Sequence, residues 1–286
     1  MQILQHQLAL LHCTKLTENM TKTAHQTAEI AELTAFATTL AQISGEAIMP
    51  HFRQPLSVDN KLAEGWDPVT EGDRAAERII RQHIEKKYPA HGIIGEEFGT
   101  KQGTSSYTWV LDPIDGTRAF VIGMPSWGTL IGLYKDGKPF LGFMHQPVVG
   151  DLFYGSAEGS YLRHGGVTRQ IKCASPKPLS QALAGTTSPH LYDSNSGFDA
   201  LRQNIKMMRY GFDCYSFALL ASGGLDIAMD PNLQIYDIAA LIPIMQGAGA
   251  VVGSWTDNDP TKGGNVLAAS CQSLFDEAKV LLNGGA

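Results

Sequence analysis

Cysteine is scarce in this 286-residue chain: there are four, scattered at Cys13, Cys173, Cys214 and Cys271, with no CxxC pair. A disulfide framework and a zinc ribbon are thereby excluded, and the thiols read as the reduced cysteines of a cytoplasmic protein. No apolar run reaches the length that spans a bilayer. An excess of positive charge is missing too: 22 Lys and Arg face 28 Asp and Glu, for a net charge of −6. That balance argues against a nucleic-acid or membrane-surface partner. It leaves phosphorylated substrates open, because bound cations reverse the local field. Repeats, low-complexity tracts and His or Cys clusters are likewise absent, the last arguing against zinc. What remains is ordinary globular material, 43% hydrophobic and 17% charged, enough for one large core or two joined ones.

The opening MQILQHQLALLHCTKLTENM lacks a basic n-region, and His12 interrupts its short apolar patch. It is a poor signal peptide and reads as a loose extension, or Met20 as the true start. Residues 1–22 are expected to be disordered. Residues 24–49 then carry Leu33, Phe36, Leu40 and Ile43 at three-and-four spacing, which predicts a helix. A polar loop is expected over 53–67, a second helix over 70–87, and short strands ending at GIIGEE and YTWVLD. From Trp127 to Lys172, aromatic and aliphatic runs alternate with KDGK, VVGD and HGG, the pattern of an antiparallel meander. The second half alternates strand-like ALAGTT, RYGF, LDIAM and NVLAAS with helical stretches, among them YDIAALIPIMQGAG. The expected fold is α+β with sheets between helix layers: an N-terminal half over 23–150 and a C-terminal half over 151–286.

The stretch WVLDPIDGTRAF puts Asp112 and Asp115 three residues apart at the end of an apolar run. Pro113 cannot continue a sheet, so a turn there points both carboxylates into one small volume. Two unpaired carboxylates about 4 Å apart cost roughly 4 kcal/mol at an effective dielectric near 20. A cation must offset that cost. Arg118 is one candidate; a divalent metal held by oxygen ligands is the other. Glu96 and Glu97 after IIG, Asp73 at a helix start and Asp237 opening YDIAALIPI add further acids. Each has an ordinary alternative: a capping box of Asp73 with Thr70, a helix N-terminus for Asp237, plain exposure for the glutamates. Together they fall where α/β folds gather ligand sites. Gly116 lets the backbone approach an anion, and Thr117 either holds a water or caps a helix. Metals, free amides and a placed water fit phosphate-ester hydrolysis.

GEE, DPIDGT and YDIAA, in this order and spacing, resemble the inositol monophosphatase family over essentially residues 23–286. The resemblance implies a layered αβαβα sugar-phosphatase fold, a homodimer, and Mg²⁺-dependent hydrolysis of a small phosphorylated substrate with two to three ions per site. It implies that Glu96, Asp112 and the Ile114 carbonyl hold one ion, that Asp112, Asp115 and Asp237 hold a second, and that Glu96 holds a weaker third through water. Thr117 and Glu96 are implied to orient the attacking water, with Asp73 nearby, and the amides of Gly116 and Thr117 to bind phosphate. Lys61 matches a mobile-loop lysine of the family, or is a solvated loop lysine.

Three stretches, TTSPHLY, DCYSFALLASGGLDIAMD and YDIAALIPI, are more similar to the bacterial histidinol-phosphate phosphatases than to the inositol enzymes, which usually carry Trp where Tyr236 stands. Histidinol phosphate brings an ammonium and an imidazole, and a cationic leaving group favours carboxylates in its pocket. Asp213 and Asp230 are the candidates; their ordinary alternatives are a helix cap and a turn former before Pro231. The expected reaction is hydrolysis of L-histidinol phosphate in histidine biosynthesis. The alternatives are an inositol or broad sugar phosphatase on the same machinery and a non-catalytic metal-binding protein; the full acid set with Thr117 argues against the latter.

Overall fold

The computed structural model describes residues 27–55, 58–60, 68–193, 196–256 and 258–284. Lys61 and the extension 1–22 lie outside the described residues. The chain separates into two compact units, 1–39 and 40–286. The described part of the first is helical from residue 27, with Thr38 Oγ1 donating to the Thr34 carbonyl at 2.8 Å. Within the described residues helix α1 extends to residue 48; the expected start at residue 24 lies outside them.

In the second unit β1 (Val58–Asn60) pairs antiparallel with β2 (Pro68–Thr70), a ribbon within the stretch expected to be loop. Thr70 caps α2 (Glu71–Lys87). The strands β3 (Gly92–Gly95), β4 (Gly99–Lys101), β5 (Tyr107–Asp115), β6 (Gly128–Lys135), β7 (Lys138–Gln146), β8 (Asp151–Ser156), β9 (Gly159–His164) and β10 (Val167–Ile171) form an eight-stranded sheet. Its order is β10-β9-β8-β7-β6-β5-β3-β4. From β5 to β10 every neighbouring pair is antiparallel, the meander that the aromatic runs and Gly/Asp turns predict. Between β5 and β6 lies the short α3 (Thr117–Val121).

A five-stranded sheet follows. Its strands are β11 (Leu183–Thr186), β12 (Met207–Tyr210), β13 (Ile227–Leu233), β14 (Val251–Gly253) and β15 (Gly264–Ala269), in the order β12-β11-β13-β15-β14. The helices around it are α4 (Phe198–Asn204), α5 (Tyr215–Ala221), α6 (Ile235–Ile238), α7 (Leu241–Gly247) and α8 (Gln272–Leu282). YDIAALIPIMQGAG is therefore two helices where one was expected. Pro243 has no N–H for the Ala239 carbonyl and its ring crowds that carbonyl, so the helix breaks before it.

Helices α5 and α7 are packed between the two sheets: α7 meets β7, β8 and β9 on one side, and α5 meets β11, β13 and β15 on the other. The main core lies there, with Phe217, Leu220, Ile242, Ile244 and Met245 against Leu130, Met144 and Phe153. Helices α4 and α8 cover the outer face of the smaller sheet through Phe198, Leu201, Leu274 and Phe275. On β5, Val110 packs with Ala239, while Trp109 stacks towards Tyr88 at the end of α2. Successive side chains of a strand point to opposite faces, so α2 covers the outer face of the larger sheet. The result is the layered αβαβα arrangement.

Candidate active site

The DPID stretch stays within β5 rather than ending it at Asp112 as expected. Asp112 pairs with Leu130 and Asp115 with Gly128, so two residues of β5 oppose the single Thr129 of β6. This is a β-bulge, and it is the reason both acids face one space. In a regular strand Asp112 and Asp115 would point to opposite faces; one extra residue brings them to the same face. Pro113 has no N–H to offer the ladder, and its carbonyl is taken by Thr129 Oγ1 at 2.8 Å. Thr129 Oγ1 also lies 3.0 Å from Ser44 Oγ, which fixes the bulge from behind.

Gly116 follows with φ of +86°, a left-handed conformation that favours glycine. The chain then enters α3, where Thr117 Oγ1 donates to the Ile114 carbonyl at 3.0 Å. A Cβ at Gly116 would sit 3.1 Å from the carboxylate of Asp213, so the two segments meet at close range.

Five stretches converge on a cleft of about 230 Å³. Glu96 comes from the turn after β3, and Asp112, Ile114, Asp115, Gly116, Thr117 and Arg118 come from β5 and α3. Thr187 and Asp213 form a facing wall, and Gln234, Tyr236 and Asp237 come from the start of α6. Asp112, Asp115 and Asp237 each place one carboxylate oxygen within 4.8 Å of the others. Asp237 Oδ2 also accepts the Gln234 amide at 2.7 Å, so its helix-start role and its place in the cleft coexist.

Burial pushes the Asp112 carboxyl well above the usual carboxylate range, and the charges of Glu96, Asp115 and Asp237 push it further. Asp115 is raised in the same way by burial, Asp237 and Asp213, against the opposing amide of Cys214, which donates to Asp115 Oδ2 at 2.7 Å. Asp112 Oδ1 is buried and has no hydrogen-bond partner among the described residues. A buried acceptor without a donor, within a group of mutually repelling carboxylates, is the condition a divalent cation relieves. The donor set is all oxygen, which fits a hard ion such as Mg²⁺ and not zinc.

Not every residue singled out in the sequence reaches the cleft wall. Asp73 accepts the Thr70 amide and hydroxyl through Oδ2 at 2.8 and 2.6 Å, so the capping box is present. Its burial raises it to about 7, with added repulsion from Glu97 and Glu96. Asp230 is buried on β13 behind the wall. Its Oδ1 accepts Thr186 Oγ1 at 2.7 Å and the Thr187 amide at 2.8 Å, and its Oδ2 accepts Thr187 Oγ1 at 2.9 Å. Thr187 reaches the cleft in its place. Gln234 and Thr187 are cleft residues that sequence reasoning passed over. Thr187 lay inside the TTSPHLY stretch, and Gln234 directly precedes the first helical residue before Asp237, the place where a capping group is expected.

A family model described as the inositol monophosphatase family matches residues 29–281. The chain is 39% identical over 232 residues to a chloroplastic bifunctional phosphatase of Arabidopsis thaliana, covering 80% of this chain and 66% of that protein. It is 37% identical over 213 residues to a histidinol-phosphatase of Chlorobaculum parvum, covering 73% and 81% of the two chains. The solved structure of an inositol monophosphatase from Zymomonas mobilis superimposes with a TM-score of 0.76 at 36% identity, covering 87% and 96%.

Proposed function

Because the chain belongs to the inositol monophosphatase family, we propose that it is a Mg²⁺-dependent phosphomonoesterase whose substrate is L-histidinol phosphate, releasing L-histidinol and phosphate in histidine biosynthesis. One observation carries the substrate choice. Beyond the carboxylates that converge on one another, the cleft holds a further acid, Asp213, on the opposite wall and packed against Gly116. A carboxylate there complements a leaving group that carries an ammonium and an imidazole. An inositol leaving group can return only hydroxyl hydrogen bonds, and no opposite charge, for the desolvation of that carboxylate.

Asp112, Asp115, Asp237, Glu96 and the Ile114 carbonyl would hold the metal, at two to three ions per site. Bound there, Mg²⁺ neutralises the phosphate, lowers the pKa of the attacking water and stabilises the leaving alkoxide. The chain's own groups supply the rest. The amides of Gly116 and Thr117, at the first turn of α3, would receive phosphate oxygens. Thr117 and Glu96 would orient the attacking water, with Asp73 holding the entry of α2 beside Glu96 and Glu97. Asp213 would take the cationic part of the leaving group. Asp230, through Thr186 and Thr187, would hold the rear of the substrate wall. Cys173, Cys214 and Cys271 are all unpaired thiols, which supports a cytoplasmic setting. The family resemblance supports a homodimer.

The deciding experiment compares kcat/KM with Mg²⁺ for L-histidinol phosphate and myo-inositol 1-phosphate. A preference of about a hundredfold for the former, ~2.7 kcal/mol of transition-state discrimination, is expected. Equal rates, or the reverse preference, keep the metal chemistry and refute this substrate.

A further inference from the structure

The wall that carries Asp213 is built with strain. Asp213 has φ of +47°, a left-handed conformation that Asp tolerates better than most residues but that its neighbours must still support. Three anchors do so. The Gly211 amide donates to the Thr187 carbonyl at 2.9 Å, and the Cys214 amide donates to Asp115 Oδ2 at 2.7 Å. The third lies away from the cleft: the Tyr215 hydroxyl, at the first residue of α5, donates to Asp151 Oδ2. Asp151 opens β8 and is 8% exposed. Its other oxygen lies 2.7 Å from Nδ1 of His164, its cross-strand partner on β9. The Tyr215 ring stands edge-on to Phe153, centroids 5.9 Å apart. Neither Tyr215, Asp151 nor His164 lines the cleft, and the reaction as derived uses none of them.

We infer that the Tyr215–Asp151–His164 chain is a positioning device for substrate choice: it pins the start of α5 to the eight-stranded sheet and so keeps Asp213 turned towards the leaving group. One residue, Cys214, separates Asp213 from Tyr215, and the turn there is closed by the Ser216 amide and hydroxyl on the Asp213 carbonyl, at 3.2 and 3.0 Å. Movement of Tyr215 is therefore movement of Asp213. The bulge fixes the Asp115 backbone independently of this turn, with the Cys214 amide on Asp115 Oδ2 as the link between them, so the displacement falls mainly on Asp213. The inference rests on the reading of Asp213 as the acceptor of a cationic leaving group.

The test is Tyr215→Phe, which removes the hydroxyl and keeps the ring on Phe153, assayed with Mg²⁺ on L-histidinol phosphate and myo-inositol 1-phosphate. A lost hydrogen bond to a charged acceptor predicts a rise of about tenfold in KM for L-histidinol phosphate, with kcat and both constants for the inositol ester within about twofold. His164→Ala frees the same anchor from the exposed side without entering the core, and KM is expected to move in the same direction. Equal losses on both esters, or no shift in either variant, overturn the inference. Asp213→Asn separates the two levels. Selective loss in Asp213→Asn with none in Tyr215→Phe leaves the reading of Asp213 standing and removes the inference. Equal loss on both esters in Asp213→Asn removes both.

Discussion

Asp112 is the residue on which the site turns. It sits where the bulge begins, it is 2% exposed, and one of its oxygens has no donor among the described residues. Replacing it with Asn keeps the shape and removes a charge that three other carboxylates repel. Loss of a residue that merely supports a metal ligand costs up to ~100-fold, and loss of a bridging ligand is expected to cost more. Turnover of Asp112→Asn should therefore fall by at least ~100-fold, while its thermal unfolding without metal occurs at or above the parent temperature, since a buried repulsion has been relieved. Activity within tenfold of the parent would remove Asp112 from the machinery. At this scale much was legible in the chain. Acids three residues apart around a proline, followed by Gly-Thr, announce their own crowding. Asp230 was not legible: a strand-end acid reads the same whether it faces the substrate or, as here, is enclosed by Thr186 and Thr187.

At the scale of elements, Glu96 depends on a contact that no local pattern shows. The turn between β3 and β4 is held by Glu77 of α2, which is fully buried. Its carboxylate accepts the Glu97 amide at 2.8 Å and the Phe98 amide at 3.2 Å, and pairs with Arg81 Nε at 2.7 Å. Arg81 in turn donates to the Gly99 carbonyl, so helix and turn are clamped on both sides. A Cβ at Gly95 would overlap the Glu77 carboxylate, which makes glycine necessary in front of Glu96. Glu77→Ala strands two amides and a guanidinium, and a loss of ~3–5 kcal/mol in chemical denaturation is expected. A loss below ~1 kcal/mol would mean the turn is held by something else. Helix periodicity and meander spacing were readable because each is repeated over many residues. The three-residue strands β1, β2, β4 and β14 are too short for any period to emerge. The break between α6 and α7 was signalled by Pro243, within an apolar run that otherwise reads as one helix.

At the scale of the whole molecule, the assembly of Glu96, Asp112, Asp213 and Asp237 from four stretches was accessible only through the family resemblance, because periodicity says nothing about which strand ends meet. That assembly has a thermodynamic consequence. Burial lifts Asp73 and Asp230 from 3.8 to about 7 and Asp213 to about 6, and Asp112 and Asp115 are also raised. In the unfolded chain these groups release their protons near 3.8, so across the interval up to about 7 the folded protein binds more protons than the unfolded one. Stability then falls as pH rises through that interval. His91 and His145 act in the opposite sense: burial lowers both from 6.5, so their contribution is present above 6.5 and is lost as pH falls below it. Five carboxylates outweigh two imidazoles, and the protein in chelator should melt at a lower temperature at pH 7.5 than at pH 5.5. Metal binding needs two of these carboxylates, Asp112 and Asp115, deprotonated, so added Mg²⁺ should raise the melting temperature strongly at pH 7.5 and weakly at pH 5.5. Asp230→Asn separates the contributions, because Asp230 lies behind the wall: it should flatten the slope in chelator and leave the Mg²⁺ increment unchanged. A melting temperature in chelator that is level or rises from pH 5.5 to 7.5 would show that these carboxylates are not held in their neutral form by the fold.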